Sequence, residues 1–359
     1  MPVTINDVAK RLQLSVTTVS RALAGYDDVA HETRLRVIRA AREMGYVPKR
    51  AARQLRLQRA ETLGLIFPTL GARFSDPFFS EFMAGVGDGA SQHSYDLLVS
   101  VAPPGEAEQQ TYQLWAHSGR VDGFILVRMR IEDWRVAFLT EQAIPFVAFG
   151  RTETHPNAPH IGVDGRAGIL DLMRHLISLG HRRIAFISAP EALTFATERL
   201  QGYRQGLEEA GLTWDPSWLA QGDLTRQGGY QTALRLLDLE PRPTAIVGVN
   251  DLTALGAIRA VQERGLRVGH DIAVAGFDGT EASEHSHPPL TTLYQPVYDI
   301  GRRCCQMLLE IIVQGHASKP DSLIRPNLIV RESTSPSGNN KGRPAFKDAA
   351  RPLREETPH

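Results

Sequence analysis

From Thr62 onward, apolar runs that fit buried strands alternate with stretches of helical periodicity. Helical stretches such as "GRAGILDLMRHLISLGH" and "DLTALGAIRAVQERGL" lie between runs of strand character. These runs are "LGLIFP", "YDLLVSV", "VDGFILV", "PFVAFG", "RRIAFIS", "TAIVGV" and "DIAVAGFD". Strands that alternate with helices form doubly wound parallel sheets, which is the α/β fold class. The units are too numerous for one comfortable sheet, so we predict two similar lobes.

The first 59 residues differ from the rest in charge. They contain twelve Lys and Arg against five Asp and Glu, a net charge of +7, in a chain whose formal net charge is 0. The remainder therefore carries −7. A positive segment on an acidic body is expected of a protein that holds a polyanion at one end.

This basic segment also predicts three short helices. Thr4-x-x-Asp7 resembles a capping box and opens the first helix. Ser15 is a good N-cap for the second, which ends at Gly25, and the third stops at Gly45. The predicted apolar positions are Val8, Ala9 and Leu12 in the first helix, Val16, Val19 and Leu23 in the second, and Leu35, Ile38, Ala41 and Met44 in the third. Three helices with one shared interior make a small domain.

A helix that starts at Ser15, one tight turn after another helix, fits a helix-turn-helix, whose second helix enters the DNA major groove. Arg21 lies four residues after Thr17, shares its face, and can bind guanine O6 and N7. The pattern alone fits a helical cap on an enzyme equally well, but the charge asymmetry favours DNA binding. The candidate DNA-binding residues of this segment are Thr4, Ser15, Val16, Thr17, Thr18, Ser20 and Arg21.

Several segments together resemble the LacI/GalR family of bacterial transcription regulators. "TINDVAKRLQLSVTTVSRAL" and "VAHETRLRVIRAAREMGYVPKRAARQLR" are similar to the DNA-binding head and hinge of that family. Later matches are "DPFF", "HLISLGHRRIAFI", "PTAIVGVNDLTALGAIRAVQERGLRVGHDIAVAGFD", "PPLTTLYQP" and "LIVRESTSP". The combination is specific, although no single fragment is, and it covers the chain to about Ser333. The resemblance implies a homodimer on a pseudo-palindromic operator.

We expect four parts along the chain: a helix-turn-helix domain (1–48), a hinge (49–60), a two-lobed effector-binding and dimerisation domain (61–333) and a polar, disordered tail (334–359). Lobe one is expected at about 61–162 and 292–323, and lobe two at about 163–291 and 324–333. The hinge has no packed face, so it cannot hold a helix without DNA. By family analogy Leu55 wedges into the operator from the minor groove. The hinge candidates for DNA contact are Arg50, Ala51, Ala52, Arg53, Leu55 and Arg56.

The resemblance also implies lobes like those of periplasmic binding proteins, with a ligand in the cleft at the carboxyl ends of the strands. The effector-binding candidates are Phe78, Phe79, Asp164, Arg199, Asn250 and Asp278. Aromatic faces can stack on a sugar ring, while a guanidinium, an amide and a carboxylate can bind paired hydroxyls. Asp251 fits better as the cap of the helix that follows it. Leu224 stands where some relatives carry a large aromatic side chain, so the identity of their ligands does not transfer.

Other functions lack their chemistry. No P-loop, no G-x-G-x-x-G after a strand and no G-x-S-x-G occurs, which argues against a nucleotide-dependent enzyme or a hydrolase. The adjacent Cys304 and Cys305 form neither a disulfide framework nor a zinc site. Glu284, His285 and His287 fit a solvated loop better than a metal site. We expect no catalytic residue, no metal and no cofactor.

The amino terminus has no apolar signal segment, and no run approaches the length of a membrane span, so we expect a cytoplasmic protein. The predicted function is a DNA-binding repressor of sugar-utilisation genes, controlled by a small ligand between the lobes. The alternatives are a sugar-binding transport protein and a sugar-metabolising enzyme of similar α/β build. A polar, Pro-containing end without leucine heptads favours a dimer over a tetramer.

Overall fold

The computed structural model describes residues 3–23, 25–46, 59–68 and 76–334. The chain divides into two compact units, Met1–Glu61 and Thr62–His359. The six hinge candidates between Arg50 and Arg56 and the tail beyond residue 334 lie outside the described residues.

The first unit has the three predicted helices, α1 (Ile5–Leu12), α2 (Val16–Leu23) and α3 (His31–Glu43). At the start of α1, the Asp7 carboxylate accepts hydrogen bonds from the backbone N–H and the hydroxyl of Thr4, at 2.8 and 2.7 Å. These bonds hold the pKa of Asp7 below its usual value. The shared core is formed by Val8, Ala9, Val19, Ala22, Val29, Val37 and Ala41.

The predicted apolar stripe of α3 is partly wrong. Leu35 and Ile38 are exposed, whereas Val37 and Ala40 face the core beside Ala41. Both sets have helical spacing, and the true one differs from the prediction by a rotation of the helix about its axis. Small side chains at the contact let α3 approach its neighbours closely, which the larger Leu and Ile would prevent.

The second unit contains two lobes with parallel sheets, as predicted. Its described strands are β1 (Thr62–Pro68), β2 (Asp96–Ala102), β3 (Gly123–Leu126), β4 (Phe146–Phe149), β5 (His160–Val163), β6 (Ile184–Ser188), β7 (Leu219–Gln221), β8 (Ala245–Gly248), β9 (Ala273–Asp278), β10 (Thr291–Tyr294), β11 (Asp321–Ile324) and β12 (Asn327–Ile329). Its described helices are α4 (Pro77–Gln92), α5 (Glu106–His117), α6 (Trp134–Glu141), α7 (Gly165–Ser178), α8 (Thr194–Glu209), α9 (Arg226–Leu237), α10 (Asp251–Glu263), α11 (Glu281–Glu284) and α12 (Val297–Gln314).

Each lobe is built on one six-stranded sheet of these described strands. The strand order is β11-β5-β4-β3-β1-β2 in lobe one and β12-β10-β9-β8-β6-β7 in lobe two. The pairing of β12 with β10 is antiparallel. The inner strands are buried along their length, because helices cover both faces of each sheet.

The chain passes between the lobes three times, after β5, after β10 and after β11. Helix α12 returns from β10 to lobe one, where its Ile300, Cys304 and Leu308 join the core around Phe82. The lobe boundary expected at about residue 292 is a few residues too early, because β10 pairs with β9 as far as Tyr294.

Helices α4 and α12 pack closely at glycines. A Cβ added to Gly85 would lie 2.0 Å from the carbonyl oxygen of Tyr298, and one added to Gly301 would lie 2.3 Å from that of Phe82. Close approach of these backbones therefore requires glycine at both positions. Among the helices of the described ranges, none has the length and apolar character needed to cross a membrane.

Candidate functional site

The exposed side of α2 carries the predicted DNA-reading residues. Val16, Thr17, Ser20 and Arg21 are all exposed, while Val19 on the opposite side is completely buried. At 100° per residue these four positions share one side of the helix. The side of α2 that carries Val19 therefore packs on the core, and the opposite side is open to a partner.

Local contacts hold the beginning and the end of α2. The Ser15 hydroxyl oxygen accepts from the backbone N–H of Thr18 at 3.0 Å, and the two side-chain hydroxyls lie 2.8 Å apart. At the other end, the Arg21 guanidinium pairs with Asp28 and lies over the Tyr26 ring, 5.0 Å from its centre. These exposed contacts are weak and can be exchanged for contacts to DNA.

A cavity lies between the two lobes at the carboxyl ends of their strands. It has about 860 Å³ of space free of protein atoms, part of which is open to solvent. Five of the six predicted effector residues line it: Phe78, Phe79, Arg199, Asn250 and Asp278. Leu224, which the sequence had already singled out, lines it too. The described lining also includes residues that the sequence did not single out, among them Asp76, Arg128, Met129, Phe149, Thr194, Phe195, Glu198 and Gln295.

Arg199 is a buried cation with spare hydrogen-bonding capacity. One of its Nη atoms donates to the carbonyl oxygen of Val249, and the guanidinium lies 3.5 Å from the centre of the Phe277 ring. Its Nε is buried without a hydrogen-bond partner among the described residues. Burial lowers the pKa of Arg199 to about 10, so the group is charged at neutral pH. An unpaired N–H on a buried cation is costly, and a ligand oxygen would satisfy it.

Asp278 and Gln295 form the other polar part of the cavity. The Gln295 amide donates to the Asp278 carboxylate at 2.7 Å, and its own Oε1 is buried without a partner among the described residues. Burial raises the pKa of Asp278 well above its usual value, although the nearby Arg199 opposes that shift. The φ angle of Asp278 is 127°, a conformation that L residues rarely adopt. Strain of this kind is typical of functional sites.

Three predicted polar roles differ in the structure. Asp164 is not among the lining residues, because its carboxylate caps α7 by accepting from the Ala167 N–H at 2.9 Å. Asn250, not Asp251, caps α10, accepting from the N–H and the hydroxyl of Thr253 at 3.0 and 2.6 Å. Asn250 still lines the cavity, and its Nδ2 also donates to the Leu224 carbonyl at 3.2 Å.

Asp251 is completely buried and connects β10 to the segment after β9. Its carboxylate accepts from the N–H and hydroxyl of Thr280 at 2.8 and 2.9 Å and from the Thr292 hydroxyl at 2.5 Å. Burial raises the pKa of Asp251 to about 6 in spite of these bonds. The predicted capping role of Asp251 is therefore wrong, because its side chain turns into the lobe.

Phe78 and Phe79 have different roles. Phe79 is buried and packs edge-on against Phe67 at 4.6 Å between ring centres. Phe78 is half-buried and stacks on Phe149 at 5.8 Å, so both rings border the cavity. The cavity thus has an aromatic wall beside its polar groups. Within the described ranges, no three His, Cys, Asp or Glu side chains are grouped to hold a metal ion.

A helix-turn-helix unit and a two-lobed unit with a polar cavity define a DNA-binding transcription regulator with a ligand-binding core. Residues 4–49 match the model for bacterial regulatory proteins of the lacI family. Residues 173–334 match the model for a periplasmic binding protein-like domain. The chain belongs to the LacI family of bacterial transcription regulators.

Relatives match across almost the whole chain. The HTH-type transcriptional regulator AglR of Rhizobium meliloti (strain 1021) is 38% identical over 341 residues, 94% of this chain and 96% of the relative. The structure of a transcriptional regulator CelR–cellobiose complex is 32% identical with a TM-score of 0.72, covering 92% of this chain and 99% of that one. The lac repressor dimer bound to operator and the anti-inducer ONPF is 30% identical with a TM-score of 0.82, covering 93% and 100%. The comparisons do not support a role in transport alone.

Proposed function

We propose that this chain is a cytoplasmic, homodimeric repressor of sugar-utilisation genes whose affinity for a pseudo-palindromic operator is controlled by a sugar bound between the lobes. Ligand binding changes the closure of the lobes and with it the placement of the two hinge segments in the dimer. The population able to form hinge helices on DNA then changes, a coupling typically worth about 1–3 kcal/mol.

The unpartnered Nε of Arg199 is the observation that carries the ligand assignment. It needs an acceptor, while the unpartnered Oε1 of Gln295 needs a donor, and a hydroxyl group supplies both. The Asp278 carboxylate adds an acceptor for paired hydroxyls, and Phe78 and Phe149 offer aromatic faces to a ring. The cellobiose of the CelR complex is a ligand of the same class.

The DNA-contact roles follow from the exposed side of α2. We propose that Arg21 binds a guanine edge and that Val16 and Thr17 contact neighbouring bases. Phosphate contacts are proposed for Thr4, Ser15, Thr18 and Ser20, and hinge contacts for Arg50, Ala51, Ala52, Arg53, Leu55 and Arg56.

A thermal-shift screen of the full chain against sugars, sugar phosphates and purines tests the ligand class. A ligand at about 100 times its dissociation constant stabilises the fold by about 2.7 kcal/mol. The expected result is a shift with a sugar that is lost in Arg199→Ala and retained in the surface control Arg174→Ala. A shift with purines alone, or one that survives Arg199→Ala, would contradict the proposed ligand contacts.

A second experiment tests the regulatory half. A duplex selected by the chain from a randomised DNA pool is titrated with and without the sugar found in the screen. The proposal requires a pseudo-palindromic consensus and an affinity that changes with the sugar. If the affinity for the duplex is identical with and without sugar, the chain binds DNA but is not controlled by that sugar, which contradicts the regulatory part of the proposal.

A further inference from the structure

The loop after β3 joins the two lobes on the side of the cleft away from the chain crossings. We call residues 127–133 the clasp loop. The backbone N–H of Thr194 donates to the Met129 carbonyl, and that of Ile131 donates to the Ala192 carbonyl, each at 3.0 Å. The Thr194 hydroxyl also donates to the Met129 carbonyl at 3.4 Å. The two lobes thus share a short antiparallel bridge.

The position of this bridge determines what it does. The crossings lie at the β5–β11 edge of one sheet and the β10–β12 edge of the other. In sheet one, β4 separates β3 from that edge, and in sheet two β9 and β8 separate β6 from it. If the lobes rotate about the crossings, the bridge must break before the cleft can open. An ion pair between Arg151 of lobe one and Glu198 of lobe two, at 2.8 Å, adds a contact at the cavity.

A buried ionic network holds the clasp loop in shape. Arg135, on α6, is completely buried and donates to the carbonyl oxygens of Val127 and Arg128 at 3.0 and 3.2 Å. Its guanidinium also donates to both oxygens of Asp133, at 2.8 and 2.6 Å. Arg128 has a φ angle of 52°, so the carbonyl that Arg135 holds lies at the strained turn of the loop.

Glu108 completes the network from α5. Its carboxylate is completely buried, accepts from Arg130 at 2.8 Å and lies 3.6 Å from Arg135. The Arg130 backbone N–H in turn donates to Asp133 at 3.0 Å. Fixed charges therefore surround the loop on the side away from lobe two, and buried charged networks of this kind restrict the motion of the backbone that they bind. The network is not fully satisfied, because the Glu108 Oε1 that faces Arg135 has no hydrogen-bond partner among the described residues.

We propose that the clasp loop sets how readily the cleft opens, and that Glu108, Asp133 and Arg135 are positioning residues that hold it ready to bind lobe two. The loop does not touch the ligand through these three side chains; it acts through the Met129 and Ile131 backbone. The proposal rests on the proposed function only in taking the cavity as the effector site.

The bridge is tested by Thr194→Pro in the ligand-free full chain. Thr194 is the first residue of α8, where proline is tolerated, and the preceding Leu193 is already extended at φ −86° and ψ 124°. The substitution removes both donors to Met129. The reporter is hydrogen exchange at the Ile131 amide, which is expected to become roughly tenfold faster relative to the Val147 amide in the sheet of lobe one.

Arg226→Pro is the matched control, because Arg226 is the first residue of α9, which belongs wholly to lobe two. Its Ile131 exchange should equal that of the unmodified chain. If the Ile131 amide exchanges at the same rate in Thr194→Pro and Arg226→Pro, the bridge does not limit opening of the cleft, and the proposed role of the clasp loop is wrong.

The positioning role is tested by Glu108→Gln, which removes one charge with little change in volume. The proposal expects Ile131 exchange to rise several-fold relative to Val147. If the network only stabilises lobe one, both amides accelerate together as the urea midpoint falls, and the positioning role is refuted. Because neither test uses a ligand, failure to find an effector would not affect them, and their failure would leave the proposed function intact.

Discussion

The buried carboxyl groups of Asp278 and Asp251 make the stability of lobe two depend on pH. Asp278 faces Arg199, Gln295 and, more distantly, Asp251 and Asp76, and its burial raises its pKa. Above the unfolded-state pKa near 3.8 and up to the raised folded value, the folded chain keeps a proton that the unfolded chain has released. Each rise in pH across that window therefore lowers the free energy of unfolding.

We predict that Asp278→Asn stabilises the ligand-free chain at about pH 8 by roughly 1 kcal/mol, since it removes the cost of a buried charge. The advantage should shrink as the pH falls and vanish below about pH 3, under the unfolded-state pKa near 3.8, where the carboxyl group is protonated in both states. Urea unfolding at several pH values measures it. The surface control Asp238→Asn, which loses an exposed ion pair with Arg264, should change stability little. A destabilised Asp278→Asn at high pH would contradict the prediction.

The sequence predicted which residues lie near the cavity better than it predicted what each of them does. Arg199 and Asp278 came from the family motif and line the cavity. Asp164 and Asn250 came from the same reasoning, yet both are helix caps, and Asx capping cannot be distinguished from ligand binding by type alone. Arg135 was missed because its partner Glu108 is distant in the chain, and no periodicity records such a contact.

At the scale of elements, the contact between α4 and α12 is the most sensitive to side-chain size. Gly85→Ala places a methyl group against the Tyr298 carbonyl, which belongs to a backbone that cannot move aside. We predict a loss of about 2–3 kcal/mol from overpacking. Gly87→Ala is two residues away in the same helix and meets nothing within 4 Å.

Gly87→Ala is expected to stabilise α4 by about 0.5–1 kcal/mol through helix propensity. The urea midpoints of Gly85→Ala and Gly87→Ala, compared with that of the unmodified chain, measure the two changes in stability. If both substitutions had the same sign, steric contact with α12 would not be the reason for glycine at residue 85.

Helix α2 supports a second prediction at this scale. Arg21→Ala should reduce affinity for the selected duplex by about 1–3 kcal/mol, the value of a guanine contact. Arg11→Ala is the control, because Arg11 is also exposed and pairs with an acidic residue, Glu43 on α3, as Arg21 pairs with Asp28, so its loss removes the same charge. Fluorescence anisotropy with both variants measures the difference, and equal losses would mean that Arg21 contributes charge alone.

The seven strand-like runs correspond to β1, β2, β3, β4, β6, β8 and β9. Among the described strands that were not predicted, β7, β11 and β12 have three or four residues each and lie in half-exposed segments. The other two, β5 and β10, have four residues each and are mostly buried. A run of three or four residues is too short to show the alternation of a strand, and whether it becomes a strand depends on the sheet that it joins. The lobes were therefore predictable, but their shortest strands were not.

At the scale of the whole molecule, charge separation predicts how DNA binding depends on salt. The first 59 residues carry +7 and the remainder −7. We expect log K to fall with log salt by roughly 0.9 for each phosphate neutralised. Titrations of a non-specific duplex at several salt concentrations measure this slope, and a slope near zero would contradict electrostatic DNA binding by the head.

The three crossings between the lobes also affect how the chain is made. Lobe one needs α12 and β11, which the ribosome delivers only after the whole of lobe two up to β10. Until then, the face of α4 that α12 covers and the edge of β5 that β11 covers remain open, on the order of ten seconds at ordinary elongation rates. During that time the nascent chain presents an apolar helix face and an unpaired strand edge, both of which favour aggregation. Synthesis therefore leaves lobe one open to aggregation until its last strand emerges.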